Sequence, residues 1–327
     1  MPDSPSTTPT RDDRSARTKK DIRCILFDIG NTLWTSRAKD RLRTFEEQSA
    51  QQALAILQED PASDASPVLT LNAFMERFTK TLLIQNTLAK RTQPELEPDP
   101  IRMIQQTLQD LGLPLQDSAV CERIYEVYRP NMVETKILFD DVLSTLAELK
   151  QRGYILGVVT NRAYGGPKFI ADMGTMGLLD FFDPDAMAIS ADLGIRKPNP
   201  DIYWYALNKL GVAPNEAAMV GDTLNADIVA AKKLNIYAIW KPSPWIRART
   251  EFAALERISA TGFTPASEHA DHTGQINIVP AFPIVTNEDV LAYALERNEH
   301  QHDPLYKPDL IIEQASELLN LFGLIER

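Results

Sequence analysis

Only two cysteines, Cys24 and Cys121, occur in 327 residues. They lie in segments of different character, and two thiols cannot staple a chain of this size. A disulfide scaffold is thereby excluded, and a reducing, cytoplasmic compartment is expected. No stretch approaches the roughly 20 consecutive apolar residues that a membrane span requires. Positive charge is in deficit: 34 Lys and Arg stand against 45 Asp and Glu, for a net charge of -11. Such a surface repels nucleic acid and anionic membrane, because binding either needs clustered cations that displace counterions. A phosphate site in this chain must therefore build its own positive field from a metal, a few Lys or Arg and backbone N–H groups. Histidine is scarce as well, and all four lie late: His269, His272, His300 and His302. No cysteine accompanies their His-x-x-His and His-x-His spacings, so they are expected in a solvated loop and not at a transition-metal site.

What is present is enough for an α/β core plus accessory segments, with 44% hydrophobic residues. Residues 1–20 are polar, without the apolar stretch of a secretory signal and with Asp3, Asp12 and Asp13 against a transit peptide; a disordered tail is expected. Residues 22–27 form a short apolar run that stops at the turn cluster Asp28-Ile29-Gly30-Asn31, the pattern of a buried parallel strand opening into a loop. From 38 to 130, apolar residues recur at helical spacing between prolines, which predicts about four helices and no strand. From 139 onward helices and strands alternate: strands at 154–159, 186–190, 217–220 and 236–240, with helices at 140–151, 200–210 and 226–234. Alternation of this kind predicts a doubly wound, Rossmann-like parallel sheet covered on both faces. Residues 243–305 break the rhythm and are expected as an insertion with one helix near 287–297, before a last strand and helix at 310–322. The core is thus expected from 21–37, 131–242 and 306–327.

In parallel sheets, chemistry sits beyond the carboxyl ends of the strands. Asp28, Thr160-Asn161 and Asp222 each occupy that place. Asp28 offers a carboxylate nucleophile. Asp222, with Asp227 five residues on, offers hard oxygen ligands suited to Mg²⁺. Thr160 brings a hydroxyl and loop N–H groups, Lys197 a point positive charge, and Pro198 restricts the loop after it. A carboxylate attacking phosphorus needs this set, since two anions repel until a metal and a lysine neutralise them. Arg196 reads as a solvated surface residue, and Tyr164-Gly165-Gly166-Pro167-Lys168 as a plain turn without P-loop spacing.

Four strings carry a family resemblance: ILFDIGNTLW at 25–34, LGVVTN at 156–161, GIRKPNPDIY at 194–203 and MVGDTLNADIVAAKKLNI at 219–236. In this order they resemble the motifs of the haloacid dehalogenase superfamily, whose phosphatases form an aspartyl-phosphate. The resemblance implies Asp28 as nucleophile, Thr160 and Asn161 at the substrate phosphate, and Lys197 as charge stabiliser. It implies a magnesium site from Asp28, the Gly30 carbonyl, Asp222 and Asp227, the last either a ligand or its support. It places 38–130 where many members carry an α-helical cap. The implied substrate is a small phosphorylated metabolite, a phosphate ester; nothing in the chain sets an oligomeric state.

Gly30 departs from the family. Its phosphatases carry a second Asp there as general acid and base, help worth ~10²–10⁴-fold, or roughly 3–5 kcal/mol of barrier. Loss of that group hurts most for basic alkoxide leaving groups. Two other readings follow from it: a hydrolytic dehalogenase, which needs no metal, or a binding protein that has kept the fold without catalysis.

Overall fold

The computed structural model describes residues 21–37, 39–59, 70–260, 285–297 and 302–325, and of residues 39–42 and 258–260 the backbone alone. The expected tail at 1–20 and the histidines His269, His272 and His300 lie outside the described residues; His302 is exposed.

Strand β1 (Cys24–Phe27) is apolar at every position because both of its faces are covered. Ile25 and Phe27 enter one cluster with Leu146, Leu149 and Phe169, while Cys24 and Leu26 enter another with Tyr203, Leu207 and Met219. The chain next forms β2 (Trp34–Ser36), then four helices: α1 (Lys39–Gln58), α2 (Leu71–Thr92), α3 (Pro100–Asp110) and α4 (Ser118–Tyr128). Side-chain oxygens of Thr70, Asp99 and Asp117 cap the last three at their amino ends. These helices bury a separate cluster that includes Phe74, Phe78, Leu108, Cys121 and Ile124. After the short α5 (Met132–Thr135), β3 (Lys136–Leu138) pairs antiparallel with β2, so a two-stranded ribbon carries the chain out to the helices and back. The sequence reading missed this ribbon, because three residues per strand are too few to show a period.

The rest alternates: α6 (Val142–Gln151), β4 (Ile155–Thr160), α7 (Gly166–Thr175), β5 (Ala188–Ile189), α8 (Ser190–Leu193), α9 (Pro200–Leu210), β6 (Ala217–Gly221), α10 (Ala230–Lys233) and β7 (Tyr237–Trp240). Then come α11 (Pro244–Ala260), α12 (Asn287–Glu296), β8 (Leu310–Ile311) and α13 (Leu318–Leu321). The six-stranded sheet has the order β5-β4-β1-β6-β7-β8, and every pairing is parallel. Phe27 stands level with Val158 of β4 and Val220 of β6. The residues just beyond these strands therefore emerge together at one edge of the sheet.

Two expectations need correction. Helix α11 fills a stretch expected to be irregular. A proline, here Pro244, suits a first helical position, and α11 leaves Trp245 and Phe252 exposed, which blurs its apolar stripe. The expected helix at 226–234 begins instead as a π-helical turn, Leu224–Val229, continued by α10.

Candidate active site

Asp28 is held by its backbone, whose N–H donates to the Val220 carbonyl at 2.8 Å. Its side chain is 10% exposed. Oδ1 accepts from Lys197 Nζ at 2.7 Å and from Thr160 Oγ1 at 3.2 Å. Among the described residues nothing donates to Oδ2. The Lys197 ammonium also donates to the Val159 carbonyl at 2.7 Å and to Asp227 Oδ1 at 2.6 Å, which uses all three of its protons. Burial works to lower the Lys197 pKa, but the Asp227 and Asp28 carboxylates outweigh it, so the lysine stays charged.

Asn161 fixes the loop that carries this lysine. Its Nδ2 donates to the Lys197 carbonyl at 2.9 Å, and its Oδ1 accepts from the Lys197 N–H at 2.8 Å. Its amide is thus engaged with the Lys197 backbone, while the residue still lines the cavity.

Asp222 follows β6. Its Oδ2 accepts from Asn31 Nδ2 and its Oδ1 from Thr223 Oγ1, each at 3.1 Å, and Trp240 Nε1 donates to its carbonyl at 2.8 Å. Asp227 projects from the π-helical turn and is 1% exposed. One oxygen meets Lys197, and the other accepts from the Thr223 N–H at 2.9 Å. Gly221 makes room for it: a Cβ there would stand 2.3 Å from Asp227 Cγ. Burial pushes the Asp222 carboxyl up to about 7, with Asp28 and Asp227 adding to the rise. Burial likewise pushes Asp227 up to about 6, against the pull of Lys197.

Two carboxylates thus share one ammonium and a third, Asp222, stands buried close by without it, and the surplus negative charge is what a divalent cation would relieve. The donors are hard oxygens, which suit magnesium. Among the described residues no three such side chains already converge on one point. Magnesium needs no such cage, since it takes one or two carboxylates and completes its shell with water and phosphate oxygens.

Gly30 is not in the left-handed region, and a Cβ there would meet only Asp28 Oδ2, at an ordinary 3.9 Å. Asn31 takes the left-handed turn instead, with φ 54°. Asn and Asp tolerate that conformation better than other side chains. Its grip on Asp222 was not foreseen.

A cavity of about 420 Å³ opens over Asp28, lined among others by Lys90, Arg162, Arg196 and Asp222. Three of these four are cations to which the sequence reading assigned no role at the site. Arg196, expected in solvent, is 14% exposed at its side chain, and its Nε stands 3.3 Å from Glu97 Oε2. Arg162 packs its guanidinium over Phe169 and Trp34, at 4.4 and 5.2 Å from the ring centroids, with Nη2 2.9 Å from Met132 Sδ. Burial lowers its pKa to about 10, while Asp28 works in the opposite direction. Both arginines adjoin motif residues, a signal the sequence held. Lys90, on α2, had none. Of Tyr164–Lys168, expected as a plain turn, Gly166–Lys168 instead form the first turn of α7.

Comparison with known proteins adds three relatives. The chain is 26% identical over 221 residues to a glyceraldehyde 3-phosphate phosphatase of Methanopyrus kandleri, which covers 67% of this chain and 83% of that protein. It is 39% identical over 97 residues to a glyceraldehyde 3-phosphate phosphatase of Pyrococcus furiosus, over 29% of this chain and 38% of that one. It is 36% identical over 104 residues to a phosphoserine phosphatase of Thermus thermophilus, over 32% and 40%. The last two matches span well under two thirds of those relatives. A solved HAD phosphatase of Thermococcus onnurineus aligns at 26% identity with a TM-score of 0.43, over 67% of this chain and 86% of that chain. Among the described residues, no helix is long and apolar enough to cross a membrane. The haloacid dehalogenase-like hydrolase family model matches residues 22–235, from the strand that carries Asp28 through the turn that carries Asp227. With that much of its length inside the match, the chain belongs to the haloacid dehalogenase-like hydrolase family.

Proposed function

We propose that this hydrolase is a magnesium-dependent phosphohydrolase that cleaves a small phosphorylated metabolite through an aspartyl-phosphate at Asp28. One observation carries the reading: Asp28 Oδ1 is pinned by Lys197 and Thr160, while Oδ2 takes no hydrogen bond from any described residue. A carboxylate held this way has one oxygen fixed and one free to attack. Oδ2 forms a bond to phosphorus, and the ester P–O bond breaks with its electron pair on the departing oxygen. Water then attacks the same phosphorus, and the bond to Asp28 breaks to regenerate the carboxylate. In this reading Lys197, its three protons engaged, would offset phosphoryl charge through its field, and Thr160 would hold Oδ1 until a phosphoryl oxygen draws its proton away. Asp28, Asp222 and the Gly30 carbonyl would hold the magnesium ion, which when bound neutralises charge between nucleophile and phosphate. Asp227, with both oxygens occupied, serves this site by holding Lys197.

The helices between 38 and 130 act in this reading as a cap over the cavity, into which they contribute Lys90 and Pro94. Relatives named as phosphatases of glyceraldehyde 3-phosphate, phosphoserine and phosphoglycolate favour a small phosphate ester as substrate. A dehalogenase has no use for Asp222 beside Asp28, which weighs against that alternative. Magnesium-dependent phosphate release across a panel of small phosphate esters, with Asp28→Asn as control, tests the proposal. Release that needs both magnesium and Asp28 supports it; no release from any ester overturns it.

A further inference from the structure

The cavity has an end that the chemistry at Asp28 does not use. Lys90 lies in the last turn of α2 and lines the cavity beside Arg196 and Pro94. A lysine in a last helical turn is often simply solvated against the helix dipole. This one is half-buried, and among the described residues no carboxylate or carbonyl takes a hydrogen bond or ion pair from it. Burial lowers its pKa, and Arg196 lowers it further while Glu97 raises it. Lys90 precedes residues 95–97, which dock on 194–196, so that Arg196 and Glu97 are its charged neighbours. Lys90 thus belongs to the end of the cavity where the helical segment docks on 194–196.

That end is firmly built. Glu97 N–H donates to the Gly194 carbonyl at 3.0 Å and Arg196 N–H to the Glu95 carbonyl at 2.9 Å, so the helical segment and the sheet loop grip each other there. Glu97 Oε2 also accepts from Ser190 Oγ at 2.8 Å. Two cations, Lys90 and Arg196, therefore face a single carboxylate, which is already shared between Arg196 and Ser190. One positive charge is left over, and among the described residues none accepts a hydrogen bond from the ammonium that carries it.

We infer that Lys90, with Arg196 beside it, forms a subsite for a carboxylate on the leaving group, so that the preferred substrate is a phosphorylated carboxylic acid and not a neutral phosphate ester. One surplus charge matches a monoanion; a second phosphate would bring about two negative charges. The inference rests on the phosphohydrolase reading and specifies its substrate class.

Two non-hydrolysable probes separate the subsite from catalysis. Methylphosphonate and phosphonoacetate share a phosphonate head and differ by one carboxylate. Calorimetric titration of the full chain, with magnesium in excess, should show phosphonoacetate binding at least ~10-fold more tightly, the scale of a charge-assisted hydrogen bond. Lys90→Met should bring the two affinities to within about twofold of each other, and Lys90→Arg should keep most of the preference. Methylphosphonate affinity in each variant reports that the site is still folded. Equal binding of both probes by the natural protein, or a preference that survives Lys90→Met, would overturn the subsite. Failure of the phosphohydrolase reading looks different: no phosphate is released from any ester, while the preference for phosphonoacetate persists.

Discussion

Lys197 and Asp227 are joined at 2.6 Å inside the protein, with side chains 2% and 1% exposed, and the same ammonium reaches Asp28 at 2.7 Å. One cation therefore ties the tip of β1 to the turn after β6. Removing one partner of a buried ion pair typically costs about 3–5 kcal/mol, because the other charge is left unpaired. Lys197→Met strands two carboxylates, so urea unfolding should show a loss of that size together with loss of turnover. A loss below about 1 kcal/mol would mean that the ammonium is not the clamp described.

Asp222 should behave in the opposite way. Burial holds its carboxyl near 7, so the folded protein penalises the anion. A raised folded pKa means that the charged form is the unfavourable one at neutral pH. Asp222→Asn should therefore leave the metal-free protein at least as stable, while magnesium-stimulated turnover and calorimetric magnesium binding are lost. Retained magnesium stimulation would contradict the assignment.

The space at Gly30 permits a direct restoration. A side chain there begins 3.9 Å from Asp28 Oδ2 and needs no left-handed backbone. The natural protein should cleave aryl and acyl phosphates well and alkyl phosphates poorly. Gly30→Asp should raise alkyl turnover by up to ~10²-fold, the low end of general-acid help. A rate in the natural protein that is indifferent to leaving-group basicity would show that another residue already donates the proton.

The thiols give a pH test of the core. Burial raises Cys24 from 9.0 to about 12 and Cys121 from 9.0 to about 11. The folded chain thus keeps two protons that the unfolded chain releases. Their contribution to stability is whole below pH 9 and declines as pH rises toward those values, by at most roughly 1.4 kcal/mol per pH unit for each thiol. Urea unfolding compared at about pH 8 and pH 10 should show the decline, and Cys24→Ala should remove the Cys24 share of it, leaving that of Cys121. Iodoacetamide should alkylate neither thiol in the native protein at about pH 8.

That Asp28, Thr160, Lys197, Asp222 and Asp227 come together at one edge of the sheet was legible because a strand buried on both faces announces its own end. Cys24–Phe27 and Ala217–Gly221 are apolar throughout and stop at polar turn clusters. The six-stranded parallel sheet followed from that alternation. The cationic cavity wall was not legible. Lys90 and Arg196 line one cavity only because residues 95–97 dock on 194–196, a tertiary contact with no local pattern. Arg162 and Asn31 stood beside motif residues, but their roles depend on Phe169, Met132 and Asp222, all distant in sequence. Helix α11 escaped notice because its exposed Trp245 and Phe252 spoil the period that marks a buried face.

The central claim is that Asp28 Oδ2 becomes phosphorylated. Rapid acid quench during turnover of a phosphate ester with magnesium, followed by peptide mapping, tests it most directly. The account predicts a hydroxylamine-labile phosphoryl group on the peptide that contains Asp28, absent from Asp28→Asn. Steady phosphate release with no phosphoryl group on Asp28, or with one on another residue, would contradict it.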